Sequence, residues 1–231
     1  MSLRVAFLDL NGTTLDLSPV AAALGGAEEG DSALVASAVD TAIAVALTLR
    51  ETGSKLDFPA ALQLGLGIEL ERRRGVAADA GELDRAVAAV GESVPFPEAL
   101  AALRELRAGG VAPWLLTNSG TAAAAAALSG TDIEQGFDGV VSVEEAGDLK
   151  PAAPVYSLAL ERAGVAAADA VLISAHWWDL LGAAGAGMQV AHVARPAKPL
   201  PAGILRPTAT GGDLLELARA LLADGARPGS S

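Results

Sequence analysis

At 231 residues the chain is long enough for one large domain or for a core carrying a smaller insert, and neither arrangement needs a partner in order to fold. A formal net charge of −12 weighs against a general nucleic-acid or membrane-surface partner, and an anionic ligand would need a local positive pocket. The absence of cysteine and the presence of only two histidines exclude disulfides, thiolate zinc sites and thiol catalysis, so a carboxylate, hydroxyl or lysine has to carry any covalent step.

The chain opens Met1-Ser2-Leu3-Arg4 and runs straight into a short apolar stretch ending in acid, without the basic region and long apolar segment of a secretory signal, so a cytoplasmic location is expected. Leu3 to Leu8 is largely apolar and stops at Asp9, and Asn11-Gly12-Thr13 follows. That pattern predicts a buried strand entering a tight loop, with Asp9 at the strand's carboxyl end. Roughly a hundred residues then separate this strand from the next, several times the ~30 of an ordinary βαβ unit, so something is inserted.

The insert carries helical patterns at Ser32 to Arg50, Phe58 to Arg74 and Ala80 to Val90, broken at Gly53-Ser54 and Gly75. Its most apolar stretch, Ala42 to Leu49, is too short to span a bilayer. Residues 16–94 are expected to form a small helical cap, and residues 1–15 with 95–231 a Rossmann-like core. The apolar helix surface of the cap is compatible with a homodimer. Four further strands are predicted at Val111 to Thr117, Val140 to Val143, Ala170 to Ser174 and Gln189 to Val193. They alternate with helices at Thr121 to Leu128, Ala153 to Ala163 and Trp177 to Ala186. Gly212 to Leu222 reads as a last helix and 226–231 as a frayed tail.

Strands alternating with helices give a doubly wound parallel α/β sheet, whose ligand site lies at the carboxyl ends of the strands. The polar residues at those ends are therefore expected to be neighbours: Asp9 and Asn11 after the first strand, Thr117 and Asn118 after the second, Ser174 to Asp179 after the fourth. A carboxylate nucleophile there needs cationic and hydrogen-bond support to stay ionised and aimed, which Lys150, Thr117 and Asn118 are able to supply.

Phe7-Leu8-Asp9-Leu10-Asn11-Gly12-Thr13-Thr14-Leu15 resembles the first motif of the haloacid dehalogenase superfamily. In order, Leu115-Leu116-Thr117-Asn118-Ser119 resembles the second, Leu149-Lys150-Pro151 with Tyr156 the third, and Ile173-Ser174-Ala175-His176-Trp177-Trp178-Asp179 the fourth. The phosphatases of that superfamily carry an acid where Asn11 stands and a magnesium-binding Asp where Ala175 stands. Asparagine delivers no proton, and alanine offers no oxygen to a hard cation. The SxxxWD pattern from Ser174 to Asp179, followed by Gly182-Ala183 and Ala186-Gly187, is instead similar to the 2-haloacid dehalogenases, which need no metal or organic cofactor.

The resemblance implies hydrolytic dehalogenation of a short anionic 2-haloacid through an ester on Asp9. It makes Lys150, Asp179, Thr117 and Ser174 catalytic partners, and Asn11, Asn118, Arg50, His176, Trp178 and Tyr156 substrate contacts. Departures are the asparagine at 11, where dehalogenases commonly hold an aromatic, the histidine at 176 in place of asparagine, and the spacing of Arg50 as the cap arginine. A phosphatase-type hydrolase and a catalytically degenerate binding protein on this scaffold are the alternative readings.

Overall fold

The apolar run before Asp9 becomes β1 (Val5–Leu8), buried on both faces, as a strand central to a parallel sheet must be. The structure, a computed structural model, describes residues 3–25, 29–195 and 197–225, so the tail expected at 226–231 lies outside the described residues. The chain divides into an insert, Asp16–Val94, and a core made from the chain on either side of it.

After β2 (Leu15–Asp16) the insert is helical: α1 (Ser18–Ala23), α2 (Glu29–Glu51), α3 (Phe58–Arg74) and α4 (Ala80–Ala88), before β3 (Val94–Pro95). Asp57 and Asp79 cap α3 and α4 by accepting from the backbone N–H of Ala60 and Glu82, and Gly75 ends α3 in the left-handed conformation. α2 and α3 cross at Gly65, where a Cβ would run into the Ala38 carbonyl oxygen and the Ala42 backbone nitrogen. The apolar stretch read from the sequence as Ala42 to Leu49 is part of a longer one. Ser32–Glu51 is long and apolar enough, by length and composition, to cross a membrane, and 44% of it is buried inside the protein. Leu34, Val35, Ala38, Val39, Ala42, Ile43 and Ala46 form its buried stripe.

The core continues with α5 (Ala99–Ala108), β4 (Ala112–Thr117), α6 (Thr121–Leu128), β5 (Gly139–Ser142), α7 (Val143–Ala146), α8 (Ala153–Ala163), β6 (Ala170–Ser174), α9 (Trp177–Gly185), β7 (Gln189–Val193), β8 (Ala209–Gly211) and α10 (Leu214–Gly225). The described residues form a six-stranded sheet in the order β5-β4-β1-β6-β7-β8, with parallel pairing throughout. β1 lies between β4 and β6, with Leu8 in register with Leu115 on one side and Ile173 on the other. After β5 the chain crosses to the opposite side of β1, and this reversal of strand order opens the crevice at the carboxyl ends.

One apolar layer, including Leu8, Leu103, Leu106, Leu115, Val193 and Leu217, packs on one face of the sheet, and another, including Phe7, Leu116, Val155, Tyr156, Leu172 and Leu180, on the other. β8, α1, α5 and α7 were not expected from the sequence.

Candidate active site

The register of β1 and β6 carries one step past the strands, where the Asp9 backbone N–H donates to the Ile173 carbonyl at 3.0 Å. The chain then folds back on itself, with the Thr14 and Leu15 amides both donating to Leu10 O (2.9 and 2.8 Å) and Gly12 at φ 74, a left-handed conformation that glycine adopts without strain. This turn aims two hydroxyls at Asp9. Thr14 Oγ1 donates to its carbonyl at 2.7 Å, and Thr13 Oγ1 donates to its carboxylate Oδ2 at 2.7 Å while accepting the Ala175 amide at 3.0 Å. Thr13 thus ties the loops after β1 and β6 together. Thr13 lies inside the first motif, where nothing in the sequence marked it out for a role of its own.

Lys150 is fully buried and places all three ammonium hydrogens on oxygens: Asp9 Oδ1 at 2.7 Å, Asp179 Oδ2 at 2.8 Å and the Leu116 carbonyl at 2.9 Å. Its backbone N–H donates to Asn118 Oδ1 at 2.9 Å, and the Lys150–Pro151 peptide is cis. Burial works against charge on all three groups. The Asp9 carboxyl is nevertheless lowered from its ordinary value, because the Lys150 ammonium and the Thr13 hydroxyl outweigh the desolvation. Lys150 is raised, burial being overcome by the two carboxylates, whereas Asp179 is raised by burial together with the charge of Asp9.

Tyr156, expected among the substrate contacts, is instead fully buried beneath Asp179. Its hydroxyl donates to Asp179 Oδ1 at 2.7 Å, and burial beside that carboxylate pushes its own ionisation well above the ordinary range.

Around this triad Asn11 Nδ2 donates to Ser119 Oγ at 2.9 Å, and Ser119 O accepts from Ser142 Oγ at 2.8 Å. Thr117 Oγ1 accepts the Ser119 amide at 3.0 Å, and Ser174 Oγ accepts the His176 amide at 3.1 Å, so each hydroxyl shapes the loop that follows its strand. Asn118 Nδ2 is buried and has no acceptor among the described residues, leaving a donor at the site.

His176 stands at the N-cap of α9, but its side chain makes no cap bond. Its ring stacks on Trp178 with centroids 4.8 Å apart, and Nε2 lies 3.0 Å from Asn11 O, 3.1 Å from Lys198 Nζ and 3.6 Å from Asp9 Oδ2. Burial and the Lys198 charge lower its pKa to about 3, so the ring is neutral at ordinary pH.

Two cations from the segment after β7 had no place in the sequence reading. Arg195 donates to Thr13 O (2.9 Å) and Glu98 Oε1 (2.7 Å) while stacking on Phe96, and Lys198 approaches Gly12 O at 3.4 Å. Their one sequence signal is position, just beyond the carboxyl end of a predicted strand. Arg50 belongs to the insert, in the last turn of α2, with Nε 3.8 Å from Glu51 Oε1; every contact of the Lys150 cluster described above comes from the core.

Chemically the cluster is an ionised carboxylate held by one lysine and one hydroxyl, with a second carboxylate on the same lysine. Among the described residues no three Asp, Glu or His side chains gather as a cation site, and position 175 contributes only its backbone.

A profile of the haloacid dehalogenase-like hydrolase family matches residues 3–187. Among individual relatives, haloacetate dehalogenase H-2 of Moraxella sp. (strain B) is 33% identical over 101 residues, covering 44% of this chain and 45% of the relative. The (S)-2-haloacid dehalogenase 4A of Burkholderia cepacia is 28% identical over 130 residues, covering 56% and 54%. The matched stretch therefore spans about half the length of each of these two relatives. The solved L-2-haloacid dehalogenase from Xanthobacter autotrophicus with chloropropionic acid covalently bound superposes with a TM-score of 0.80, at 22% identity over 97% of this chain and all of that one, a likeness of fold.

Proposed function

The chain belongs to the haloacid dehalogenase-like hydrolase family, and from that premise we propose that it cleaves the carbon–halogen bond of short 2-haloacids through an ester on Asp9. The observation that carries this reading is Lys150 Nζ bridging Asp9 Oδ1 and Asp179 Oδ2. A carboxylate kept ionised and oriented by a buried ammonium is equipped to attack carbon directly.

In the first step an Asp9 oxygen forms a bond to the halogen-bearing carbon as the halide departs with the bonding pair. Halide needs no proton to leave, so the asparagine at 11 costs nothing here, whereas an alkoxide leaving group would need an acid. In the second step water adds to the Asp9 ester carbonyl and the 2-hydroxy acid is released, one water proton going to its hydroxyl and the other to solvent. Asp179 is assigned the role of steadying Lys150 once Asp9 is esterified and of taking the proton of the attacking water. Thr13 and Thr117 are assigned to positioning the nucleophile and its neighbouring loop, Ser174 to shaping the loop that presents His176, and Asn118 Nδ2 to donating to the substrate. Residues 16–94 are assigned as the family's helical cap. The names of the Moraxella and Burkholderia relatives support the substrate class, and the covalent adduct of the Xanthobacter enzyme supports the ester.

A screen for halide release over short 2-haloacids, followed by a single turnover in heavy-oxygen water with enzyme in excess, tests this. The expected result is label in the peptide containing Asp9 and none in the first-turnover product. Label in the product alone would refute the ester. Hydrolysis of phosphate esters abolished by chelator, with no halide released from any 2-haloacid, would replace this reading with the phosphatase one.

A further inference from the structure

Two groups fix the plane of the Asp9 carboxylate: Lys150 Nζ on Oδ1 and Thr13 Oγ1 on Oδ2, each at 2.7 Å. Lys150 is itself held by three oxygens, one of them the Leu116 carbonyl of β4. Thr13 belongs to a tight turn, so the aim of its hydroxyl depends on what holds the peptide units on either side of it. The Thr14 amide donates to Leu10 O at 2.9 Å, which secures one end of the Thr13–Thr14 peptide. The other end of the same peptide, Thr13 O, receives Arg195 Nη2 at 2.9 Å.

We infer that Arg195 is a positioning residue for the nucleophile, which it aims through Thr13. The inference rests on Asp9 having the role proposed above. With both ends of the peptide pinned, the two hydroxyls that address Asp9 are set together, Thr13 Oγ1 on its carboxylate and Thr14 Oγ1 on its carbonyl. A hydrogen bond from a guanidinium is about twice as strong as one between neutral groups, so this end of the peptide resists reorientation. Displacing reacting atoms by about 1 Å costs on the order of a hundredfold in rate, which makes such indirect support consequential.

Arg195 is built to stay where it is. Nη2 also donates to Glu98 Oε1 at 2.7 Å, and the guanidinium carbon lies 3.5 Å from the centre of the Phe96 ring. Phe96 is tied to the same turn, its amide donating to Thr14 O at 3.0 Å, and Glu98 Oε1 accepts the Leu214 amide at 3.4 Å, at the start of α10. The arginine side chain is 8% exposed, and its Nε has no acceptor among the described residues. Burying an ion pair with a hydrogen left unmet contributes little net stability compared with apolar packing, so what this residue supplies is geometry. Thr13 and Thr14 precede the insert and Phe96 and Glu98 follow it, and Arg195 binds the two sides of that junction into one support for Asp9.

Carbon-13 NMR of aspartate-labelled whole enzyme, with Asp9→Asn to assign the signal, reads the Asp9 carboxyl without turnover. Arg195→Met should raise the Asp9 pKa above its wild-type value, because a hydroxyl no longer held on Oδ2 stops favouring the charged form. Thr13→Val should raise it too, and adding Arg195→Met to Thr13→Val should change it little further. Arg195→Lys should restore part of the effect, since both hydrogen bonds leave from one nitrogen. With 2-chloropropionate, Arg195→Met should lower kcat about tenfold at nearly unchanged KM, the effect of one lost charge-assisted hydrogen bond, and should do little in the Thr13→Val background. Glu98→Gln loosens the guanidinium without removing it, and should give a smaller shift of the same sign even if Arg195→Met does not fold. An Asp9 pKa unmoved in these variants, a shift of equal size with and without the Thr13 hydroxyl, or a loss confined to thermal stability would overturn the assignment. A Thr13-dependent shift without halide release from any 2-haloacid would leave the positioning role standing and remove the proposed reaction instead.

Discussion

The Tyr156 hydroxyl donates to Asp179 Oδ1 over 2.7 Å, and the two side chains are buried together under the site. One carboxylate oxygen of Asp179 is thereby committed to tyrosine and the other to Lys150, which fixes the plane of the carboxyl and, through Lys150, the position of Asp9. Tyr156→Phe should leave that oxygen short of a donor and destabilise the protein by about 1–3 kcal/mol in urea unfolding. Gly182 packs against the same hydroxyl and ring, so Gly182→Ala should disturb Asp179 without touching it. A Gly182→Ala enzyme with wild-type stability and wild-type ester breakdown would contradict this.

Removing Lys150 leaves two buried carboxylates facing each other. Lys150→Met should cost about 3–5 kcal/mol of stability, and adding Asp179→Asn should recover part of that loss. Activity should fall at least about a hundredfold. In the wild type the acid limb of kcat/KM should lie below the ordinary aspartate range, since Asp9 is lowered. Any residual activity of Lys150→Met should show the limb moved upward.

His176 links stability to pH. It is neutral when folded, with its pKa lowered from 6.5 to about 3, so between those values the unfolded chain binds a proton that the folded chain refuses. Stability conferred by the neutral ring is fully present above pH 6.5 and is lost as pH falls toward 3, at up to about 1.4 kcal/mol per pH unit. His192, also lowered by burial, adds in the same direction. Urea unfolding at pH 5 and pH 7 should show the slope, and His176→Asn should reduce it. An unchanged slope in that variant would mean that His176 is not held neutral.

In the insert, Gly65 allows α2 and α3 to touch through backbone. Because the atoms in the way are the Ala38 carbonyl and the Ala42 nitrogen and not movable side-chain ends, Gly65→Ala has to push the helices apart. About 1–3 kcal/mol of destabilisation is expected despite the higher helix propensity of alanine, read as a lowered thermal midpoint. A neutral or raised midpoint would show that the crossing is looser than described.

Much of the secondary structure, in core and insert alike, was legible in the chain because its signals are local. The strand at Ala170–Ser174 and the helices at Phe58–Arg74, Thr121–Leu128 and Ala153–Ala163 begin and end where apolar runs, glycine and proline say they should. β8 was missed because Ala209–Gly211 is three residues at a sheet edge with no apolar alternation to betray it. α5 left only a weak mark in the sequence although Ala99, Ala102, Leu103 and Leu106 lie on one helical face, since half of that stripe is alanine.

The site divides along the same line. Sequence alone determined the set of chemical groups, namely a carboxylate after the first strand, a lysine before a proline, a second carboxylate near the start of a helix, an asparagine at 11 and an alanine at 175. Only the tertiary structure decided who meets whom. Lys150 joins Asp9 across 141 positions and Asp179 across 29, Tyr156 turns to Asp179, and Lys198 reaches His176 and Gly12 from the segment after β7. The physical reason is that periodicity records which face of an element is buried, a matter of near neighbours. Contact partners follow from the strand order, set when the chain after β5 crosses β1 to lay down β6 on its other side.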